Sequence, residues 1–315
     1  MKVGGNEKKV GLFGFLKNRF NAKRSLLERR TGVGKIVFVI FFVLFLLYAL
    51  TLLYPLFWMV LNSFRNSTDY QLAIAMKAPF SLKIVFEPKN YATVVKLIAT
   101  TDATYFQMVW NSVWTSILSS FLSIVFPTLT AYCLAKYEFR LRGVLYAIAI
   151  IVMILPIVGT GGAALRFWAS IGVYNTPLFI VLNHLGGLGG MLFLIMYGFF
   201  QNIHWAYAEA VFIDGGNDYT ALFRVMLPQA SNMLLLFFVM NFMGNWNDYT
   251  TFLIYMPSYP TLAMGMYLVS NTLERTGQMP IYYAALVLSM IPILALFIAF
   301  SNQILTRVSI GGIKG

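Results

Sequence analysis

Charge is what this sequence has least of. Asp, Glu, Lys and Arg make up 11% of its 315 residues, against about a quarter in a soluble domain. With 59% of residues hydrophobic, the chain cannot cover a water-facing surface, which excludes an ordinary soluble fold and leaves a polytopic membrane protein. Cysteine is nearly absent. Cys133 stands alone in an apolar run, so no disulfide can close within the chain and no cysteine cluster can hold a metal. Two histidines, His184 and His204, are too few for a histidine-based metal site. Paired carboxylates suited to acid–base work are also missing, so neither catalytic residues nor metal ligands are expected. The glycines of 186–190 lie in apolar sequence, have the wrong spacing and precede no Lys-Ser/Thr, so they read as close helix packing, not as a phosphate loop. The N-terminal stretch lacks signal-peptide form: its charged part runs about 35 residues and the apolar run behind it is span-length, with no small-residue cleavage pattern.

The charge that is present is unevenly placed. The net charge is +12, and residues 1–35 carry ten Lys and Arg against Glu7 and Glu28. In a soluble protein this would suggest nucleic acid. Ahead of a membrane span it suggests an anionic leaflet, so lipid is expected as a partner and nucleic acid is not.

A span needs about 20 apolar residues. The hydropathy pattern predicts an all-α polytopic fold of about six transmembrane helices, near 36–60, 108–135, 143–158, 177–200, 229–255 and 280–305. Residues 61–107 are mixed in character, with a short helix expected over 90–98. Segment 163–177, with Arg166 and Trp168, reads as an amphipathic re-entrant or interfacial piece, and 256–279 as a loop. Six spans put both termini on one side. With the N-terminus inside, the inner segments 1–35, 136–142, 201–228 and 306–315 hold sixteen of the 23 Lys and Arg, the bias expected of the cytoplasmic side.

The longest inner loop after the N-terminal tail, 201–228, is a polar island and is not basic. Glu209, Asp214 and Asp218 outnumber Arg224, so it faces something other than an anionic leaflet. Residues 203–212 suit a helix, and Asp214-Gly215-Gly216-Asn217 suits a turn. Asp218 would cap a second helix through Met226, and Pro228 would open the next span. From spacing alone this is either a functional element or an ordinary re-entry loop.

In the fifth span Asn241, Asn245 and Asp248 recur at i, i+4 and i+7, on one helical face. A carboxylate in a span costs roughly 2.5–3.5 kcal/mol, so Asp248 belongs in an interior cavity or against a partner. The stripe suits hydrogen bonding to a polar solute along a path, which the family resemblance given next implies to be sugar hydroxyls, with Trp246 or Tyr249 available to stack on a pyranose; helix–helix bonding between subunits is the other reading. His184 reads as packing or loop-capping.

Glu209-Ala210-Val211-Phe212-Ile213-Asp214-Gly215-Gly216, followed after a short interval by Leu227-Pro228, resembles the E-A-A-x-x-x-D-G-A…L-P loop of bacterial ABC importer permeases. Two positions depart from it, Val211 and Gly216, where the pattern has alanine. The resemblance extends over about 35–315. It includes Asn111-Ser112, Ala131 to Arg140, Gly172-Val173-Tyr174-Asn175-Thr176, Asn245-Trp246-Asn247-Asp248-Tyr249 and the ending Gly311-Gly312-Ile313-Lys314-Gly315. These are similar to the second permease of maltose-type carbohydrate importers, with the complex-saccharide subgroup nearest. The resemblance implies that 201–228 is a cytoplasmic coupling loop, with Glu209, Ala210, Asp214, Gly215 and Gly216 at the contact with an ATPase. It implies a permease subunit for an oligosaccharide or polysaccharide fragment, in the bacterial cell membrane. Its partners would be a second permease, an ATPase dimer that binds the ATP and Mg, and an extracellular solute-binding lipoprotein or periplasmic binding protein. In maltose-type importers the sugar site belongs mostly to the other permease. No cofactor is expected in this chain. The alternatives are a proton- or sodium-coupled carrier with Asp248 as the ion site, although no inverted repeat is visible, and a membrane enzyme.

Overall fold

The computed structural model describes residues 32–76, 85–98, 103–155 and 161–307. The basic tail through residue 31, the last part of the third expected span and the ending from residue 308 lie outside these. In chain order the helices are α1 (Gly32–Ser63), α2 (Ser67–Ala75), α3 (Lys89–Leu97), α4 (Tyr105–Lys136), α5 (Arg142–Ile154), α6 (Gly161–Ser170) and α7 (Leu178–Asn183). They continue with α8 (Gly190–Asn202), α9 (Ala206–Ile213), α10 (Asp218–Asn247), α11 (Thr250–Tyr255), α12 (Leu262–Arg275) and α13 (Met279–Arg307). Apart from an isolated bridge between Arg65 and Phe86, the described residues form no β-structure.

Four helices are long and apolar enough to cross a membrane, over Gly34–Ser63, Tyr105–Lys136, Asp218–Asn247 and Met279–Ser301. The other two expected spans look different. α5 is apolar but has 13 residues. The segment 177–200 is not one helix. It divides into α7 and α8, because the glycine run between them leaves the helical path. Gly187 there lies against α4: a Cβ on it would sit 2.8 Å from Thr130 Cγ2 and 3.1 Å from the Phe126 carbonyl. Thr130 Oγ1 donates to the Gly187 carbonyl, so the broken backbone finds a partner, as an apolar environment requires. The loop expected over 256–279 contains α12, whose N-cap Thr261 accepts from the Met264 N–H.

The chain forms two compact units, one within Met1–Tyr91 and Met279–Gly315, the other Ala92–Gln278. In the first, α13 packs along α1 and against α2. The most apolar part of α1 buries nothing inside the chain. Beyond α1 the backbone is held by a buried cation. Arg65 is 1% exposed and pairs through Nε with Asp69. Asn90 Nδ2 donates to the carbonyls of Ser63, at 2.9 Å, and Arg65, at 2.8 Å, and the Phe64 ring lies 5.2 Å from Phe86 and 5.0 Å from Tyr91.

In the second unit α4 is the central element and packs on α8, α10, α12 and α7. A capping box opens it, with Thr104 and Gln107 each accepting the other's backbone N–H. One face carries Ser112, Thr115, Ser116, Ser119 and Ser120, all buried, at the i, i+3, i+4, i+7 and i+8 spacing of one helical stripe. Small residues let neighbouring backbones approach, and the hydroxyls of Ser112 and Ser120 serve as partners to other helices. Ser112 Oγ accepts from the Leu262 N–H at 2.8 Å, which fixes the start of α12.

Asp69→Ala removes the partner of a buried guanidinium and should destabilise the first unit by about 3 kcal/mol. Replacing both residues, Arg65→Met with Asp69→Ala, should cost less. Thermal unfolding of the detergent-purified protein reads both values.

Candidate functional site

The island at 201–228 folds as a helical hairpin. α9 ends where the Asp214 N–H reaches the Ala210 carbonyl at 3.0 Å. Gly215 then turns the chain at φ 78°, a region that costs other L-residues about 1–2 kcal/mol. Gly216 serves a different need. Its N–H donates to the Val211 carbonyl at 2.8 Å, and a Cβ on it would lie 2.5 Å from Val211 Cγ1 and 2.9 Å from the Val211 carbonyl. The two departures from the alanine pattern are therefore coupled: the Val211 side chain fills part of the space that an alanine at 216 would use, and the Val211 carbonyl fills the rest.

The second half of the hairpin departs from expectation in two ways. Asn217, not Asp218, caps α10, with its Oδ1 accepting from the Thr220 N–H at 2.9 Å. α10 then runs without interruption from Asp218 through Pro228 to Asn247. Wider π turns over Ala221–Met226 precede the proline and accommodate a residue with no N–H to give.

Asp218 has another role. Tyr137, the first residue after α4, donates its hydroxyl to Asp218 Oδ1 at 2.7 Å. Burial first, and then this bond to a carboxylate, raise the Tyr137 pKa above the ordinary phenol value, so Tyr137 remains a donor through the physiological range. Lys136 Nζ donates to the Ile203 carbonyl. The inward side of the hairpin is buried, with Ala208, Ala221, Leu222 and Met226 in one cluster with Tyr132 and Phe200. Its outward side exposes Glu209, Ala210, Asp214 and Gly215, together with Tyr207, Ile213, Tyr219 and Phe223, of which Ile213 is 85% exposed. The sequence places Asn217 in the turn and Tyr137 in the stretch closing the second span, without assigning either its role as cap or as partner of Asp218. The Asx residue before Asp218 signals the cap; no local spacing signals a partner 81 positions away.

The polar stripe of the fifth span is only partly a stripe. Asn241 Nδ2 donates to the Phe237 carbonyl of its own helix at 2.9 Å. Asn245 Nδ2 reaches across to Ser120 Oγ at 3.1 Å. Asp248 lies beyond the last helical residue and caps α11, accepting from the Thr251 N–H at 3.0 Å. Trp246 is 3% exposed and stacks on Phe242, so it is not open for a sugar ring in this conformation. Tyr249 lies flat on Tyr267 with centroids 4.3 Å apart and is 38% exposed. Asn245 and Asp248 line a small polar cavity of about 40 Å³ with Thr115, Ser119, Asn183 and His184, room for about two or three waters. His184 ends α7, with Nδ1 2.7 Å from the Ile180 carbonyl. A larger hollow of about 520 Å³ between α4 and α10 is lined by apolar side chains including Phe121, Val125, Leu234 and Phe238.

Long apolar helices, a polar seam between them and a hairpin with an exposed outer face are the marks of a helical membrane subunit. The family described as binding-protein-dependent transport system inner membrane component matches residues 123–310, more than half of the chain, and the chain belongs to it. The diacetylchitobiose uptake system permease protein NgcG of Streptomyces coelicolor is 25% identical over 275 residues, covering 85% of this chain and 86% of that protein. The arabinooligosaccharides transport system permease protein AraQ of Halalkalibacterium halodurans is 24% identical over 263 residues, covering 83% and 91%. Among solved structures, a chain of a bacterial ABC transporter involved in the import of the acidic polysaccharide alginate superposes with a TM-score of 0.69 at 20% identity, covering 87% of this chain and 98% of that one. That likeness establishes the fold. Membership of the family sets aside the proton- or sodium-coupled carrier; the Asp248 carboxylate that suggested it serves as a helix cap.

Gly216→Ala should lower stability by about 1–3 kcal/mol through overpacking. Val211→Ala combined with Gly216→Ala, which restores the alanine pair, should recover at least half of that loss. Thermal unfolding midpoints of the two variants check the exchange.

Proposed function

We propose that this chain is the permease subunit of an ATP-driven importer for an oligosaccharide or polysaccharide fragment, and that the 203–227 hairpin seats on an ATPase subunit. The observation that carries the reading is the hairpin's outer face. Bulky apolar side chains there alternate with the carboxylates of Glu209 and Asp214. Lipid does not suit the carboxylates and water does not suit the apolar groups, whereas a protein cleft suits both. Ile213 at the tip is the anchor and Glu209 the charged contact.

ATP is bound and hydrolysed by the partner ATPases. This chain supplies neither a catalytic group nor a cofactor. The path is formed with a second permease and loaded from an extracellular or periplasmic binding protein. Closure of the ATPases displaces the hairpin and switches the path between inward- and outward-facing states. Along that path Asn245 and Asp248 hydrogen-bond sugar hydroxyls, and Asn241 belongs to the same line. The small polar cavity admits a hydroxyl or its water, not a ring. The exposed edge of the Tyr249–Tyr267 pair offers an aromatic surface to a pyranose. The N-terminus, the C-terminus and the hairpin are cytoplasmic, as the distribution of Lys and Arg supports.

Co-purification of an ATPase with the tagged chain is the first test; a chain that isolates without one overturns the reading. Glu209→Lys and Gly215→Asp should insert normally yet uncouple ATP hydrolysis from saccharide uptake, and normal uptake by both would contradict the assigned contact. A cysteine at Ile213, in a Cys133→Ser background, should react with an impermeant maleimide in inverted vesicles from cells lacking the ATPase, should be shielded when the ATPase is present, and should not react in intact cells.

A further inference from the structure

Two consecutive residues at the end of α4 grip the hairpin from both sides. Lys136 bonds the carbonyl of Ile203, just before α9. Tyr137 bonds the carboxylate of Asp218, just after the turn. Everything in between is therefore bracketed by one helix terminus. An aromatic ladder reinforces the bracket. Phe200 of α8, Tyr132 of α4, Tyr137, Trp205 and Phe212 of α9 meet edge to face in sequence, with centroids 5.3, 5.7, 5.9 and 6.1 Å apart, a geometry aromatic pairs favour. Without these contacts the first arm, α9, would be held only through the turn into α10, the non-helical residues that follow α8 and the buried cluster beneath it.

The other end of the lever is equally well tied. α4 bonds the backbone of the glycine break through Thr130, α10 through Ser120 and Asn245, and the start of α12 through Ser112. Any displacement of α4 is passed to all three.

We infer that Lys136 and Tyr137 are positioning residues that join the hairpin and α4 into one rigid lever, so that a push on the hairpin becomes a movement of the helix at the centre of the unit. The source of the push rests on the function proposed above. The rigidity belongs to this chain alone. A hydroxyl bonded to a carboxylate suits this use, because a bond to a charged acceptor is stronger than one between neutral groups.

The test places spin labels on cysteines at Ala206 of α9 and Ile117 of α4, both exposed, in a Cys133→Ser background and in the assembled transporter in nanodiscs. The label distance should be narrow and unchanged by ATP with vanadate. With Tyr137→Phe, which keeps the ring and loses the hydroxyl, the distribution should broaden even without nucleotide and shift when nucleotide is added. Saccharide transported per ATP should fall by about tenfold, the factor that loss of one hydrogen bond to a charged group allows. Asp218→Asn keeps an acceptor oxygen without its charge and should retain most of both properties, while Asp218→Ala should match Tyr137→Phe. Lys136→Met should loosen the α9 side in the same distance measurement. An ATP-dependent distance in the unsubstituted chain overturns the lever. So does a Tyr137→Phe variant that is merely less stable, with distance and coupling ratio unchanged. Absence of an ATPase from the purified complex would count against the proposed function instead, and the nucleotide-free distances would still decide the lever.

Discussion

The hydroxyl seam of α4 is what the second unit hangs on. An apolar interior offers polar groups no water, so each must find its partner within the chain or in a neighbouring one. α4 supplies such partners along much of its length. Ser112 takes the first N–H of α12, and Asn111 reaches the Pro260 carbonyl at 3.0 Å. Ser120 meets Asn245, and Thr130 covers the carbonyl of Gly187 where the chain leaves the helix. The same small side chains let α8 and α10 pack closely. A bulky apolar residue at any of these positions would remove a partner and the room for it together.

That seam also explains why broken helices are tolerated here. The chain interrupts itself between α7 and α8 and again between α10 and α11. Each interruption is closed by a local cap and by a contact to α4 or its cavity. His184 ends α7, Asp248 starts α11, and both line the cavity that Thr115 and Ser119 share. Breaks of this kind place polar side chains and free backbone ends within apolar sequence, where only a partner inside the protein can satisfy them.

At the opposite end α4 finishes in Lys136 and Tyr137, so one helix connects the polar cavity to the hairpin. The hairpin's shape is set by two glycines used for different reasons, one for its backbone angle and one for the space taken by Val211. Its outer face follows from that shape, because the tight turn lifts Ile213 clear of the packed side.

Much of this was legible in the sequence wherever the signal was local. Low charge and long apolar runs defined a helical membrane chain, and α1, α4 and α13 lie where hydropathy put them. The order Glu209 to Gly216 identified the hairpin and the turn, and the family comparison agrees with the resemblance read from it. What escaped the sequence was non-local. Hydropathy averages over a window, so it merged α7 with α8 and overlooked the break at Asp248. It also treated Pro228 as a boundary, although π turns carry α10 across it. Helical periodicity placed Asp248 on a face, but the residue lies past the last turn. The Tyr137–Asp218 bond, the aromatic ladder and the exclusion of a Cβ at Gly216 join residues through space. By itself the sequence determined the class and the location of the hairpin, because hydrophobicity and turn chemistry act over a few residues at a time. Only the tertiary structure decided which helices break and which residues hold the hairpin to α4, because those outcomes depend on where a distant side chain supplies the missing hydrogen bond or occupies the missing volume.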